Sequence, residues 1–369
     1  MTQLSNIHTI EKAKTKKIGD FNPFNRVSAA DKIFFFQNLA IMIKTGISLS
    51  TSIKTLSEQT DNKYFKKVLN ELYENVDRGE SFSKSASQHP KIFPEIYVNM
   101  IEAGEVSGKL ESVLVQLTLQ LKKQHQLRSK IRGAMTYPAI IVFAMLSVGT
   151  FAMVYVIPKM TAVFADLGSD LPLATRILIG TSDFMINNYI GIIILVIFLI
   201  IFVWQFRKNP QGKLLWHKFL LHLPIVGKII KKIQIASFAR TLSSLLKTEI
   251  AVIDSLKITS KNLTNSAYAQ ALSTTSQAIE TGSTISSNLS KYPSLFPPII
   301  TQMISVGEQT GSLDTILEEL AEFYEEDVDQ IMSNLPSIIE PVLILALGVA
   351  VGGMALAIIM PMYSLVSKF

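Results

Sequence analysis

Residues from Phe35 to Pro158 align with Phe238 to Pro361 without a gap, and no other feature constrains the fold as tightly. Lys44-Thr45 meets Lys247-Thr248, and Gly79 meets Gly282. Pro90, Phe93 and Pro94 meet Pro293, Phe296 and Pro297. Gly104, Glu105 and Gly108 meet Gly307, Glu308 and Gly311, while Pro138 and Pro158 meet Pro341 and Pro361. One register held over that length means one module used twice.

Each copy runs into a segment long enough to cross a bilayer, which takes about 20 apolar residues. The spans are expected at about Pro138–Pro158, Met185–Gln205 and Pro341–Tyr363. The second has no counterpart in the repeat. It returns the chain so that both modules lie on one side of the membrane. The order is therefore module, span, return span, module, span.

Charge sets the direction. Lys122, Lys123, Arg128, Lys130 and Arg132 precede the first span, and Arg207, Lys208, Lys213 and Lys218 follow the second. The segment between carries Lys159 and Arg176 against Asp166, Asp170 and Asp183, so it faces outward and both modules are cytoplasmic. Glu340 before the third span and Lys368 after it fit the rule poorly, and parity places the tail outside. The start is polar, with Lys12, Lys14, Lys16 and Lys17, and lacks the apolar core of a signal peptide. The resulting boundaries are a polar tail over 1–27, a helical domain over 28–133, spans over 134–160, 184–206 and 338–364, a periplasmic loop over 161–183, a second helical domain over 207–337 and a short tail over 365–369.

Within the modules the apolar spacing is helical. Leu110, Val113, Leu114, Leu117 and Leu121 form one stripe, and Leu313, Ile316, Leu317 and Leu320 repeat it. Ser28 with Asp31 predicts a capping box, and Pro94 and Pro297 suit the first turn of a helix. Nothing alternates with period two for long enough to suggest a sheet. The fold class is all-α: a polytopic membrane protein with two homologous cytoplasmic helical-bundle domains and three transmembrane helices.

Catalytic chemistry finds little to stand on. The chain has no cysteine, which removes disulfides, thiolate metal sites and a cysteine nucleophile. Gly104-Glu-Val-Ser-Gly-Lys109 resembles part of a phosphate-binding loop, but it is one residue short, and Leu110 stands where Ser or Thr is required. The second copy ends in Ser312 instead of lysine. The plainer reading has Gly104 stopping a helix in the left-handed region and Gly108 setting the next turn. That turn does not need the glutamate, so Glu105 and Glu308 point to a partner, either a backbone N–H or another protein. The six residues Gly104, Glu105, Gly108, Gly307, Glu308 and Gly311 are the candidate interaction set.

His217 and His222 are five apart, on different helix faces, and with Trp216 and Lys218 read as an interfacial belt rather than a metal pair. Gly348 and Gly352, together with Pro138 and Pro341, are candidates for helix packing in the membrane, within or between protomers. No Asp, Glu, Lys, Arg or His lies within Pro138–Pro158, Met185–Gln205 or Pro341–Tyr363, which counts against an ion-coupled transporter. The helix entering the first span is basic, whereas its counterpart carries Glu318, Glu319, Glu322, Glu325, Glu326, Asp327 and Asp329. This contrast reads either as a solvated face plus topology signal or as electrostatic pairing between modules or protomers.

The repeated pattern resembles the type II secretion system F family, the inner-membrane platform proteins of type II secretion and type IV pilus assembly. It rests on Phe93-Pro94, Met100-Ile101-Glu102-Ala103-Gly104-Glu105-x-Ser107-Gly108-x-Leu110, and Leu127-Arg128-x-Lys130-Ile131 running to Tyr137-Pro138. Phe296-Pro297, Gly307-Glu308-x-Thr310-Gly311-x-Leu313 and Pro341 repeat it. The resemblance implies a non-enzymatic scaffold in the bacterial inner membrane with its N-terminus cytoplasmic. It implies a homo-oligomer that contacts a cytoplasmic assembly ATPase, pilin or pseudopilin subunits and other inner-membrane assembly proteins. No cofactor, metal or nucleic acid is implied. A channel or transporter is the alternative. Two departures stand out: Glu249 replaces Gly46, and Ser312 replaces Lys109, so the modules are expected to differ in their contacts.

Overall fold

Helix α1, Ala29–Lys44, begins at the expected capping box, with Ser28 accepting from the Asp31 N–H and Asp31 accepting from the Ser28 N–H. The computed structural model describes residues 27–166 and 173–366, and no strand occurs among them. The expected tails over 1–27 and 365–369 lie outside these residues except at their inner ends, as does Asp170.

The first module continues through α2 (Leu49–Glu58), α3 (Lys63–Asp77), α4 (Phe82–Ser87), α5 (Glu95–Ser107) and α6 (Leu110–Phe151). Ser48, Asn62 and Ser81 each cap the helix that follows, satisfying an N–H that the helix itself cannot. The second module repeats this order as α11 (Val226–Lys247), α12 (Val252–Asn262), α13 (Ser266–Ile279), α14 (Ile285–Leu289), α15 (Pro298–Thr310) and α16 (Leu313–Val366). Pro94 and Pro297 sit one residue earlier than expected, at the N-cap, and Pro298 takes the first-turn position in the second copy.

The cores repeat residue by residue. Phe35 meets the edges of Phe65 and Phe93 at centroid distances of 5.7 and 6.2 Å. Their counterparts Phe238, Tyr268 and Phe296 also cluster edge to face, but with Phe296 as the shared ring, 5.4 Å from Phe238 and 5.3 Å from Tyr268. All six side chains are buried, and each contributes about 1.5–3 kcal/mol of transfer free energy. Tyr268 adds a hydroxyl, which finds the Leu295 carbonyl at 2.8 Å.

Between the modules α6 passes through a π-turn, Ala152–Val156, into α7, Ile157–Asp166. Helix α8 (Leu173–Asn187) follows, then α9 (Tyr189–Lys208) and α10 (Pro210–His222). Among the described residues three helices are long and apolar enough to cross a membrane: Leu110–Thr161, Tyr189–Lys208 and Leu313–Ala357. The stretch expected as a loop over 161–183 is therefore largely helical where it is described, and the apolar helix that matches the expected return span runs from Tyr189. Asn188 separates the two helices; its N–H and its side chain both bond to the Phe184 carbonyl.

Helix α8 lies against the π-turn, α7 and α16. Pro361 has no N–H, so the Ala357 carbonyl one turn earlier has no helical donor, and the Thr175 hydroxyl bonds to it at 2.7 Å. In the π-turn the ladder runs five residues back, as the Ile157 N–H to the Ala152 carbonyl shows. Pro158 therefore leaves the Met153 carbonyl open, and the Ser182 hydroxyl takes it at 2.5 Å. One helix, absent from the repeat, thus serves both repeated prolines from hydroxyls two turns apart.

Candidate functional site

The repeated glycine–glutamate turn joins three helices in each module. Helix α5 ends at Gly108, whose φ of 68° is the left-handed C-cap; Gly311 does the same for α15 at 70°. Gly104, expected to be the stop, is instead inside α5. A Cβ there would stand 2.9 Å from Val113 Cγ2 and 3.2 Å from the Leu110 Cα, so glycine is required for close approach of α6. Gly307 has the same reason, with the Leu313 Cα 3.0 Å away.

Of the two partners left open for the glutamate, the chain supplies the backbone. The Glu105 carboxylate accepts from the Phe82 N–H at 2.6 Å and the Ser83 N–H at 2.9 Å, the first two donors of α4. Glu308 accepts from the Ile285 N–H at 2.5 Å, the Ser286 N–H at 3.1 Å and the Ser286 hydroxyl at 2.6 Å. The third donor of each short helix goes to Ser81 or Thr284. A carboxylate at a helix N-terminus gains both charge-assisted hydrogen bonds and the helix dipole. No strand precedes the Gly104–Lys109 turn, and Lys109 reaches Glu249 in the other module.

The modules meet along a seam in which α6 lies against α16 and α11, and α5 against α12. The seam is polar at its centre. Gln120 is 1% exposed, donates to Thr241 at 3.1 Å and accepts from Ser244 at 3.0 Å; Gln116 donates to Ser244 at 3.1 Å. Nearer the spans it turns apolar, with Val328, Met332 and Leu335 against Leu127, Ile131 and Ala134. Leu245 and Ile258 of the second module are buried in the first module's core.

Ion pairs line the same seam. The basic and acidic helices pair within the chain: Lys123 lies 3.2 Å from Glu325, and Lys130 bonds to Asp329. Lys261 meets Glu95 at 2.6 Å. Beside them Arg240, 4% exposed, holds Glu325 with two hydrogen bonds of 2.8 and 2.9 Å and lies near Glu318. Burial disfavours the Arg240 charge, but the Glu325 hydrogen bonds and the surrounding carboxylates outweigh it and raise its pKa. A bidentate pair of this kind fixes the register of α11 against α16.

His217 and His222 do not meet. His217 Nδ1 accepts from the Ser266 N–H at 3.0 Å, the first donor of α13, while His222 faces the carbonyl of Lys218. Cβ atoms placed at Gly348 and Gly352 would meet nothing within 4 Å, and Pro341 is exposed, whereas Pro138 is buried in α6. The sequence reading missed Gln120, Ser244, Arg240, Thr175 and Ser182. None of them stands out in the sequence: Arg240 and Ser244 neighbour Ser237, Thr241 and Lys247 one turn away, and Gln120 neighbours Gln116, Lys123 and Gln124, as on a solvated helix face.

A family model described as "Type II secretion system (T2SS), protein F" matches residues 35–158 and 238–361. These are the two arms of the repeat. The chain is 35% identical over 336 residues to "Type IV pilus assembly protein PilC" of Thermus thermophilus, covering 91% of this chain and 82% of that protein. It is 31% identical over 355 residues to "Type IV pilus assembly protein PilC" of Pseudomonas aeruginosa, covering 96% and 95%. It is 28% identical over 367 residues to "Type II secretion system protein F" of Aeromonas hydrophila, covering 99% and 94%.

Proposed function

Because the chain belongs to the type II secretion system protein F family, we propose that this inner-membrane platform protein of a type IV pilus or type II secretion machine couples a cytoplasmic assembly ATPase to the insertion or extraction of pilin-like subunits. The platform is not itself an enzyme in this reading: it transmits motion. It acts as a homo-oligomer beside other inner-membrane assembly proteins.

The observation that carries this reading is the unbroken helix from each module into its span. Helix α6 has 42 residues and α16 has 54. At 1.5 Å per residue these are about 63 and 81 Å long, two or more times the thickness of a hydrocarbon core of about 30 Å. A displacement of either module therefore reaches the bilayer through a continuous helix rather than a flexible linker. The Lys123–Glu325 and Lys130–Asp329 pairs link the two helices directly, and Gln120 and Arg240 tie each of them to α11, so the spans move as a set in this reading.

The orientation in this reading puts both modules in the cytoplasm. It is supported by the basic residues beside the spans and by Lys208, whose ammonium lies 3.5 Å from the Trp204 ring at the end of α9. Nothing specific favours the alternative of a channel or transporter. The apolar windows of the three candidate spans are only 6%, 0% and 0% buried by the described residues, so these spans do not close around one another within one chain. Those surfaces are left for lipid, pilin-like subunits or other copies, with Gly348 and Gly352 suited to close helix approach.

The test is a flexible Gly-Ser insertion between Arg132 and Gly133, alongside a deletion. Both are expected to abolish pili or secretion while pilin-like subunits still accumulate in the membrane. The inserted variant is expected to remain membrane-bound with folded modules. Normal fibres or secretion in the deletion would refute the platform role, and normal output in the insertion would refute the coupling.

A further inference from the structure

The seam between the modules is heterologous, so each module leaves one half of it unused. Helix α6 meets α11 and α16 through its Gln120, Lys123, Leu127 and Ile131 face, Gln120 on α11 and Lys123 on α16. The same positions on α16 are Phe323, Glu326, Gln330 and Asn334, and all four are exposed. In return α16 and α11 use Glu325, Ser244 and Val328, whose counterparts in the first module are Lys122, Ile41 and His125. There Ile41 is 50% exposed and lines an open groove of about 380 Å³ between α1 and α6, with Val115, Leu119 and Lys122.

The unused halves match each other where the used halves match. The internal hydrogen bond between Gln120 and Ser244 is replaced by Phe323, 62% exposed, and Ile41, an apolar pair. The internal pair Lys123–Glu325 becomes Glu326 and Lys122, with both signs reversed together. Lys109–Glu249 becomes Ser312 and Gly46, and Lys130–Asp329 becomes Ser333 and Gln126, losing both charges each time. Where Leu127 and Ile131 face Val328 and Met332, the open halves offer Gln330 and Asn334 against His125 and Ser129. The exception is Glu95–Lys261, which becomes Pro298 and Glu58: both ends change, but one charge is left with no opposite charge at the equivalent position. Glu111 is the one acidic side chain lining the groove.

We propose that α16 of one copy docks into the α1–α6 groove of a second copy of this chain, repeating the internal seam between protomers, with Phe323 set against Ile41 and Glu326 against Lys122. A heterologous contact generates either a ring or an open filament. Here every copy must keep its spans in the same bilayer, so the repeating rotation runs about the membrane normal and the assembly closes into a ring. The inference deepens the homo-oligomer part of the reading above and does not depend on which fibre is served. The apolar Phe323–Ile41 contact supplies the anchor, and the reversed ion pair supplies register more than affinity.

The chain has no cysteine, which makes the test direct. Full-length Ile41→Cys and Phe323→Cys variants are prepared separately, mixed in mild detergent and treated with a short thiol–thiol cross-linker. The mixture is expected to shift from the mass of one chain to that of two, while either variant alone stays at one. Linkage of a single variant to itself at the level of the mixture would overturn the head-to-tail geometry. No linkage in the mixture, with light scattering still showing an oligomer, would overturn this surface but leave the oligomer standing. A monomer under the same conditions would overturn both.

Discussion

Lys109 and Glu249 hold each other across the boundary between the modules, Nζ to Oε1 at 2.5 Å, and they are the two positions singled out as departures from the repeat. Their counterparts, Ser312 and Gly46, carry no charge. The departures are therefore one change with two ends. It also explains an oddity of backbone: Glu249 has a φ of 62°, the one positive φ of a non-glycine residue among those described, at the place where Gly46 has 84°.

Replacing Glu249 by glycine tests this balance. A side chain held in the left-handed region costs about 1–2 kcal/mol. The ion pair is more than half exposed at both ends and contributes about 0.2–1 kcal/mol. The flexibility that glycine adds to the unfolded chain offsets about 0.4–1 kcal/mol more. The thermal midpoint of Glu249→Gly in detergent is expected to hold or rise slightly. A fall of several degrees would mean that the cross-module pair contributes more than its exposure allows.

Glu105→Ala and Glu308→Ala are each expected to destabilise their module by about 2 kcal/mol or more, because two backbone hydrogen bonds to a charged acceptor are lost at the start of a short helix, and at Glu308 the Ser286 hydroxyl's bond as well. Glutamine at either position keeps one carbonyl oxygen and is expected to recover part of the loss. Limited proteolysis near Ser81 or Thr284 reads this locally. If glutamine and alanine behaved alike, the capping role would be wrong.

The Ser266 N–H needs the His217 Nδ1 unprotonated. Burial, then the positive charges of Lys213 and Arg207, lower the His217 pKa from its ordinary value. Below that ordinary value the unfolded chain binds the proton more readily than the folded one, so stability rises with pH across the window. The contribution is full above about pH 6.5 and is lost as pH falls from there through the folded pKa. The drop in thermal midpoint from about pH 7.5 to about pH 5.5, either side of the ordinary histidine value, is expected to shrink in His217→Gln. An unchanged drop would remove this histidine from the account.

What could be read from the sequence was local or periodic. The Ser28–Asp31 cap lies within one turn, the spans announce themselves by apolar length, and the repeat holds its register through prolines and glycines. The turn was half legible: two glycines four apart signal a helix end, but only the packed chain shows that Gly108 makes the stop and Gly104 the close approach. Glu105 reaches a donor 23 residues away, and the seam residues pair over more than 100, distances at which no pattern in the chain points to a partner. Helix α8 was hidden for a different reason: Arg176 and Asp183 give it the look of a loop, and its 15 residues are too few for a span.

That helix carries the last expectation. Thr175 and Ser182 are both buried, and their acceptors, 182 and 29 residues away, are carbonyls that repeated prolines leave without a helical donor. Each lost hydrogen bond in such a setting costs about 0.6 kcal/mol on average and up to about 1.7 kcal/mol. Thr175→Val keeps the shape and removes only the hydroxyl, so it isolates that bond; Ser182→Ala does the same for the π-turn. The two act on different spans through one helix, so their effects should be coupled: once α8 has lost one anchor, removal of the second should cost less than it does alone. Thermal midpoints of the two single variants and the double variant, closed as a cycle, measure that coupling. Strict additivity would show that each hydroxyl serves its own proline and that α8 does not tie the two spans together.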